Sequence, residues 1–580
     1  MRFKALTQEK NYWWILIILL VITFIPFLGE ALYNTKGEPR EAIVAVSMLQ
    51  QGNWILPESC GGDIPYKPPF FAWCIATLSS LMGGEVTEFS SRLPSAIAMI
   101  VMTMVGFRFY SRRASKFVAL VMALITMTAF EVYRAAYACR VDMVLTMFIV
   151  TSLYALYHHY ERGAKGISWI AILLMSGGVL TKGPIAILLP CLVMGVFYLL
   201  RGVGFWRTVA QYVIMGVLAC VIPAMWYIAA YQQGGEHFLN LAMEENFGRF
   251  LGKMSYESHV NPIHYNFVTV ISGMLPYTLL AIFSLFSIKY SSPLHKGEGV
   301  KTLFSRFRVW IKKMDDVKLF SLLSLVLIFI FYCIPKSKRS VYLLPIYPFI
   351  AYYLTLYIMY LARKGAKSIK VYSWIITSLA IVVVSAIIVI KLGVIPETIF
   401  SGKRAAENVA FLHGLENIEL SFVNIAMFLS LILVIVLSIK NQRGCLSTGI
   451  MAIFTILAIY WNFSAYLQPA VLNTKSDYPV AQLVKDIVPE GEIYSFVDDK
   501  YLRFYTINFY TGDRVKLFDK ELPESGVVIV GEKDMELLLE KYESKYEFAS
   551  IFRSDRRSCD RRQPILLLQF FQKGGKQERL

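Results

Sequence analysis

Charged residues are scarce in this chain, and acidic residues are scarcer than basic ones. Asp, Glu, Lys and Arg together make up 17% of its 580 residues, with 41 acidic and 58 basic side chains. An average soluble domain has about 25% charged residues. The low share of charge, together with a mean hydropathy of +0.52, excludes intrinsic disorder, a collagen-like fibre and an ordinary cytosolic enzyme.

Cysteine is also infrequent, and its spacing carries no metal signature. The eight cysteines include no Cys-x-x-Cys pair, and most of them lie in or beside apolar runs. That placement is typical of small buried apolar side chains. The chain also has no internal repeat and no low-complexity stretch.

Long apolar runs are what the sequence has in abundance. Hydrophobic residues make up 56% of the chain, which indicates an integral membrane protein with many spans of about 20 residues. The first run begins with the interfacial aromatic cluster Tyr12-Trp13-Trp14, and we expect it to be a retained helix. The 14 candidate spans are 12–29, 68–83, 92–110, 117–132, 141–158, 167–182, 184–200, 209–231, 265–288, 317–335, 339–361, 372–391, 421–439 and 446–466.

Basic residues predict the orientation of these runs. Cytoplasmic loops are rich in Lys and Arg, which fits the net charge of +17 and four loops at 201–207, 289–318, 363–370 and 440–443. Because successive spans cross in opposite directions, the loops 30–67, 233–264 and 392–420 and the C-terminal tail are then predicted to lie on the outer side. An inside N-terminus and an outside tail require an odd number of crossings. We therefore expect about 13, with one short early segment re-entrant or merged with a neighbour.

The tail differs in composition from the rest of the chain. Residues 467–580 carry 18 Lys or Arg and 19 Asp or Glu, whereas residues 1–466 carry 40 and 22. This change predicts a boundary near Leu467 between a membrane module, 1–466, and a soluble α/β domain, 467–580. The patterns predict a helix at 532–542 and strands at 492–497, 526–531 and 564–571. The tail has no catalytic motif, which favours an accessory or docking role.

The first outer loop, 30–67, contains the densest group of chemically useful side chains. Glu38 and Arg40 precede a stretch, 42–49, whose apolar face predicts a helix lying in the membrane interface, and Lys67 ends the loop. A lone carboxylate at a water–lipid boundary is usually a solvated charge. A carboxylate, a guanidinium and a lysine in one short loop favour a functional site.

Two further ionisable residues lie at the ends of apolar runs. Asp142 follows Arg140 at the start of one run, and Lys182 precedes a Gly-Pro break in another. Ionisable residues at membrane depth are costly and tend to be functional. The alternatives are a side chain that reaches to the interface from a helix end and a simple hairpin turn.

The remaining outer segments add cations and histidines. Lys336, Lys338 and Arg339 are predicted on the outer side, against the positive-inside rule, and this favours an anionic partner such as a lipid phosphate. The acidic residues and histidines of the 233–264 loop, His259 among them, match no zinc spacing. The sequence therefore predicts no metal ligands and indicates no certain cofactor; a divalent metal is left open but is not favoured.

Taken together, these groups suit the transfer of a sugar from a lipid phosphate. The acceptor must lose a proton to a carboxylate as it attacks the anomeric carbon. The leaving phosphate must be stabilised by cations. A lipid-linked donor would explain why such a site is built on a membrane protein.

Several motifs occur in the order and spacing of a known family. They are Glu-Pro-Arg after the first helix, Gly-Asn-Trp, Tyr-Lys-Pro-Pro, Arg-Val-Asp, Leu-Thr-Lys-Gly-Pro and Lys-Ser-Lys-Arg-Ser-Val-Tyr-Leu-Leu-Pro. Over about residues 10–360 the chain resembles the membrane glycosyltransferases related to protein O-mannosyltransferases, most closely the bacterial lipid A aminoarabinose transferase branch. The resemblance implies an all-α polytopic GT-C fold with about 13 transmembrane helices and interfacial helices. It also implies an undecaprenyl-phosphate-linked donor, inversion at the anomeric carbon and transfer at the periplasmic face of the inner membrane.

The resemblance also implies roles for individual residues. The first acid of the family falls on Gly37, so Glu38 and Asp142 are the catalytic candidates, and the family's metal-ligating glutamate is replaced by Tyr66. The residues implied to hold the phosphate or lipid of the donor are Arg40, Lys67, Lys182, Arg249, Lys336, Lys338 and Tyr342. The residues implied to contact the acceptor or support the site are Tyr66, Glu41 and His259.

The acceptor and even the class of function are left open by these patterns. Lipid A, another glycan and a protein hydroxyl all fit a transferase. A lipid-linked sugar flippase is an alternative, but a transporter should have paired broken helices in two related halves, and we find one break, at Gly183-Pro184. A membrane scaffold is a third class, supported only by the lack of motifs in the tail.

Overall fold

The computed structural model describes residues 11–248, 260–285, 309–402, 404–442, 444–498 and 502–574. Among them, eight helices are long and apolar enough to cross a membrane, or ten if each of two sharply bent helix pairs forms one span. Four shorter apolar helices of 12 to 16 residues accompany them. The expected fold class, a polytopic helical membrane protein, is confirmed.

The helices of the membrane region are mostly apolar, and their connections range from single residues to long loops. In chain order they are α1 Tyr12–Phe24, α2 Pro39–Gln51, α3 Phe70–Leu81, α4 Glu88–Arg113, α5 Lys116–Thr128, α6 Phe130–Ala136, α7 Val141–Glu161, α8 Trp169–Lys182, α9 Ile185–Leu200, α10 Phe205–Met243, α11 His264–Gly273, α12 Tyr277–Leu285, α13 Asp316–Cys333, α14 Tyr347–Arg363, α15 Lys367–Lys391, α16 Ala405–Glu416, α17 Phe422–Lys440, α18 Cys445–Asn462 and α19 Gln468–Leu472.

Capping side chains fix where several of the long helices begin. Thr87 and Ser90 form a reciprocal capping box at the start of α4, and Ser115 caps α5. Asp315 accepts two backbone N–H groups at the start of α13, and Ser421 caps α17. Each cap satisfies backbone donors that the helix itself leaves unpaired, and each is worth about 1 kcal/mol.

Helix α3 begins and ends on the same side of the bundle. Near its start, Trp73 donates from Nε1 to a carbonyl of the first loop at 2.6 Å. Near its end, Ser79 bonds to Ser90 at the start of α4, where Glu88 accepts from Tyr510 of the C-terminal region at 2.6 Å. Twelve residues rise only about 18 Å, less than the hydrocarbon core of about 30 Å. We therefore interpret this segment as the early candidate span that does not cross, and the count of 13 crossings stays a prediction.

The C-terminal region forms a mixed five-stranded sheet covered by short helices. Its strands are β1 Ile493–Phe496, β2 Val515–Leu517, β3 Ser525–Gly531, β4 Tyr546–Arg553 and β5 Ile565–Gln572, and its helices are α20 Tyr478–Ile487, α21 Tyr505–Tyr510, α22 Phe518–Glu521 and α23 Met535–Tyr542. The strand order is β2-β1-β3-β5-β4. Strand β1 pairs in parallel with β2 and β3, whereas β5 pairs antiparallel with β3 and β4. The predicted α/β domain, three of its strands and the short helix are confirmed.

Helix α21 joins this sheet to the membrane region by packing against α2. Phe509 lies edge-on to Tyr33 with ring centroids 4.7 Å apart, and it belongs to the same apolar core as α1, α4 and α7. The hydroxyl of Tyr510 accepts from the backbone N–H of Tyr33 at 2.9 Å. The first loop and the sheet domain therefore lie on one side of the bundle.

Candidate functional site

The site is formed where the first loop, the start of α7, the end of α8 and the segment before α14 meet. Helix α2 carries Arg40 and Glu41 in its first turn, with Pro39 at its first position, where proline suits a helix start. Asp142 lies in the first turn of α7, and Lys182 is the last residue of α8. Charged side chains from separate parts of the chain thus converge beside the apolar bundle.

Glu38 is held by a buried arginine rather than being open to a substrate. Its two carboxylate oxygens accept from Arg92 at 2.9 and 3.3 Å, and one of them also accepts from the N–H of Cys139 at 2.9 Å. Burial alone would raise the pKa of Glu38, but the Arg92 guanidinium and these hydrogen bonds hold it below its ordinary value. Glu38 therefore ties the first loop to α4 and to the segment before α7.

Gly37 leaves room for Arg140 beside this carboxylate. A Cβ atom added at Gly37 would lie 2.5 Å from a terminal nitrogen of Arg140, closer than any real contact. Within the part of the chain that the structure describes, no ion pair of the Arg140 side chain is found, although it interacts electrostatically with Glu38, Glu41 and Asp142. The space beside Gly37 is thus occupied by a cation from another segment.

Glu41 forms the second ion pair of the site, with Lys67. Its carboxylate contacts the Lys67 ammonium and lies 3.7 Å from the Arg40 guanidinium. Burial would raise the pKa of Glu41, and these two cations lower it instead. Burial lowers the pKa of Lys67 to about 8 despite the attraction of Glu41. Both cations lie over the ring of Tyr66, 5.4 and 5.5 Å from its centroid.

Asp142 and Lys182 form the third pair. The Lys182 ammonium contacts Asp142 Oδ1 and lies 4.6 Å above the ring of Tyr342. Arg339 also interacts electrostatically with Asp142. The pair therefore joins α7 and α8 to the segment that precedes α14.

Once the three carboxylates are matched with Arg92, Lys67 and Lys182, arginines remain in excess. Arg40 lies near Tyr505 and Glu245 as well as Glu41, yet its buried Nε has no hydrogen-bond acceptor among the described residues. Arg140 and Arg339 add two more positive charges to the same group. An unsatisfied buried guanidinium nitrogen costs free energy, so this arrangement suits a bound anion.

The other residues predicted for the site are spread more widely. Lys336 is exposed, and Lys338 is buried with its ammonium donating to the carbonyl of Pro335 at 2.5 Å. Arg249 and His259 lie outside the described residues. Their assignment to the donor and acceptor stays a prediction.

The arrangement around Tyr66 does not fit a divalent cation. The resemblance implies a glutamate there, whereas a phenol with two cations over its ring is not a ligand that a divalent cation prefers. Among the described residues, one group of three has ligand atoms close together, namely Asp477, Cys559 and Asp560 in the sheet domain. Thr506 and Ser558 already donate hydrogen bonds to these two carboxylates. We derive no step through a metal.

Sequence reasoning assigned no role to Arg92 or Tyr505. Arg92 did carry a signal, because it is a charged residue at the start of an apolar run and such residues tend to be functional or paired. Tyr505 carried none, because its approach to Arg40 depends on how the sheet domain packs against α2. Arg140 was noted only as a helix-end charge.

Comparison with known proteins places this arrangement in context. Residues 66–227 match the family model described as dolichyl-phosphate-mannose-protein mannosyltransferase. That region contains Lys67, Arg92, Asp142 and Lys182. The first-loop residues Glu38, Arg40 and Glu41 and the whole sheet domain lie outside the matched segment.

Two curated relatives are bacterial sugar transferases. The chain is 25% identical over 386 residues to undecaprenyl phosphate-alpha-4-amino-4-deoxy-L-arabinose arabinosyl transferase 2 of Proteus mirabilis, and 65% of each protein is aligned. It is 26% identical over 348 residues to the corresponding transferase 1 of Pseudomonas fluorescens, with 57% of each protein aligned. The chain thus matches less than two thirds of the length of either relative.

The fold is similar to that of a solved membrane protein along nearly its whole length. The crystal structure of ArnT from Cupriavidus metallidurans bound to undecaprenyl phosphate superimposes with a TM-score of 0.68 at 17% identity. The match covers 96% of this chain and 98% of that one. At this identity the likeness establishes the fold, including the helical bundle and the sheet domain.

Proposed function

We propose that this chain, a membrane glycosyltransferase with the GT-C fold related to the protein O-mannosyltransferases, transfers a sugar from a polyprenyl phosphate to an acceptor at the membrane surface. The observation that carries the proposal is the excess of arginines around three paired carboxylates, with a buried Arg40 nitrogen that finds no acceptor in the part of the chain that the structure describes. A phosphate would supply the missing negative charge. The transferases named above use undecaprenyl phosphate, so we propose undecaprenyl phosphate as the lipid.

Arg40, Arg140 and Lys67 would bind the donor phosphate. Arginine can offer two parallel hydrogen bonds to phosphate oxygens, and Lys67 adds a point charge. As the bond between the anomeric carbon and the phosphate oxygen breaks, the leaving lipid phosphate gains negative charge. Fixed cations in a site of low dielectric constant stabilise that charge in the transition state. Lys182 and Tyr342 would support the lipid end, as the resemblance implies.

Glu41 is the carboxylate that we propose as general base. Glu38 has both oxygens engaged by Arg92 and Cys139, and Asp142 is paired with Lys182. Glu41 is held ionised by Lys67 and Arg40, and both of these cations could turn to an arriving phosphate. The acceptor hydroxyl would then give its proton to Glu41 while its oxygen attacks the anomeric carbon, with inversion of configuration.

The acceptor is proposed by chemistry and by similarity to the named transferases. A hydroxyl or phosphate group of lipid A fits a site at the membrane surface, and another glycan or a protein hydroxyl would use the same base. The site and the sheet domain lie on one side of the bundle, which we propose is the periplasmic side of the bacterial inner membrane. Basic loops on the opposite side support this orientation.

Transfer from radiolabelled undecaprenyl-phosphate sugars into the lipid, glycan and protein fractions of membranes tests the proposal. Wild type should label one fraction, whereas Glu41→Gln should label it about 10²–10⁴-fold more slowly and Lys67→Ala should label none. Glu532→Gln is a matched control, because it alters an exposed carboxylate paired with Arg553 in the sheet domain. Donor binding without label in any fraction would contradict transfer and favour a flippase.

A further inference from the structure

A single carboxylate of the sheet domain holds both segments that form the Glu41–Lys67 pair. Asp513 Oδ2 accepts from the Ser47 hydroxyl of α2 at 2.7 Å. Asp513 Oδ1 accepts from the N–H of Cys60 at 2.9 Å and from Asn508 Nδ2 at 2.7 Å. Ser47 belongs to the helix that carries Glu41, and Cys60 belongs to the loop that leads to Lys67.

The contacts around Asp513 form a continuous interface. Gln50 of α2 donates to the carbonyl of Gly512 at 3.0 Å, and Arg503 pairs with Asp63 at 2.9 Å. Gly61 approaches the sheet domain so closely that a Cβ atom there would lie 3.0 Å from the backbone nitrogen of Leu517. The backbone at Asp513 itself has a positive φ of 60°, a conformation that costs free energy in residues other than glycine and is tolerated best by Asn and Asp.

We propose that Asp513 is a positioning residue of the active site, through which the sheet domain sets the distance between Glu41 and Lys67. The inference rests on the proposed function of that pair. It gives the sheet domain, which has no catalytic motif, a defined part in the reaction.

The geometry explains why this one side chain matters for turnover. Ser47 lies six residues after Glu41 on the same helix, about 9 Å along its axis, so a shift at Ser47 moves Glu41 with it. Lys67 follows Asp63 by four residues, and Asp63 is held by the same domain. A displacement of about 1 Å between reacting groups can cost about 100-fold in rate.

The test compares Asp513→Ala and Asp513→Asn in the full-length protein with Asp519→Ala as a matched control. Asp519 is a carboxylate of the same domain whose partner, Tyr542, also lies within that domain at 2.8 Å. The asparagine variant can keep the bond from Cys60 and donate to Ser47, so it should retain most of the activity. If Asp513→Ala fails to fold, Ser47→Ala removes the contact between Asp513 and α2, together with one side-chain bond to the Ile43 carbonyl inside that helix.

Three measurements are made on each variant. The kcat and KM for transfer give the effect on chemistry, and the pH dependence of kcat/KM reports on Lys67. Hydrogen exchange of the peptide 39–51, followed by mass spectrometry without any substrate, reports on the position of α2. The exchange measurement does not depend on the proposed function. If wild type transfers no sugar, that function is refuted, and the exchange measurement still decides whether Asp513 holds α2 in place.

Asp513→Ala, or Ser47→Ala in its place, should lower kcat by about 10-fold or more with KM within about twofold, and should speed exchange in 39–51. Loss of contact with Glu41 should also move the alkaline limb of the pH profile to lower pH, because Glu41 raises the pKa of Lys67. Unchanged exchange in 39–51 would overturn the proposal. Faster exchange with wild-type kcat would overturn it as well, since Asp513 would then serve only stability.

Discussion

Glutamine substitutions at Glu41 and Glu38 should produce opposite defects. Glu41→Gln removes the proposed base, and a positioned general base contributes about 10²–10⁴-fold to rate. Its loss should lower kcat by about that factor. Folding should change little, because Lys67 has a pKa of about 8 and can release its proton when its partner carboxylate is lost.

Glu38→Gln should act mainly on stability. It leaves Arg92, which is 4% exposed, without its carboxylate, and an arginine cannot release its proton. Breaking a buried ion pair on one side costs about 3–5 kcal/mol. Arg92 also donates to the carbonyls of Leu28 and Ala31, so the cost should lie near the lower end, about 3 kcal/mol.

The assay measures initial rates of label transfer and thermal unfolding of the purified variants in one detergent. Glu41→Gln should melt near wild type and turn over slowly, and Glu38→Gln should melt at a lower temperature while its folded fraction turns over much faster than Glu41→Gln. Wild-type turnover by Glu41→Gln together with a stable but inactive Glu38→Gln would refute the reasoning and return the role of base to Glu38.

Three other predictions follow from the same contacts. Transfer should decline as pH rises through about 8, because Lys67 loses the charge that binds phosphate, and Lys67→Arg should shift this decline to higher pH in a pH–rate profile. Gly37→Ala should displace Arg140 and weaken donor binding by about 10-fold, measured by titration with labelled undecaprenyl phosphate; unchanged affinity would exclude Arg140 from the phosphate site. Burial and the nearby Asp477 raise the pKa of Asp560 to about 7. Protonated Asp560 should therefore stabilise the sheet domain fully below about pH 4, and this contribution should be lost as the pH rises toward 7. The melting temperature of Asp560→Asn should not show this dependence on pH.

The elements that sequence predicted well are those with strong local signals. The long apolar runs required no partner to be recognised, because about 20 apolar residues in a row can be buried only in a bilayer or a protein core. In the tail, β3 and β5 were predicted from dense runs of Val, Ile, Leu and Phe. The strands β2 and β4 were missed, since β2 has three residues and β4 mixes charged and exposed positions among its apolar ones.

The pairing within the site could not be predicted in the same way. Sequence pointed to Glu38, Arg40, Lys67 and Asp142 as chemically useful, because ionisable groups at a membrane boundary are costly. It gave no means to tell that Glu38 meets Arg92, 54 residues away. A carboxylate's role depends on which cation holds it, and that is a property of packing between distant segments.

The sequence by itself determined that this is a polytopic helical membrane protein with an α/β domain in its tail, and it pointed to the loops that we propose carry its chemistry. Both conclusions depend on the composition and hydropathy of short stretches of sequence, so they required no knowledge of contacts between distant segments. Only the tertiary structure decided that both ends of α3 lie on the same side of the bundle and that Glu41 rather than Glu38 is paired with Lys67. It alone also brought Asp513 to Ser47 across 466 residues, because such contacts depend on how the helices and the sheet pack together.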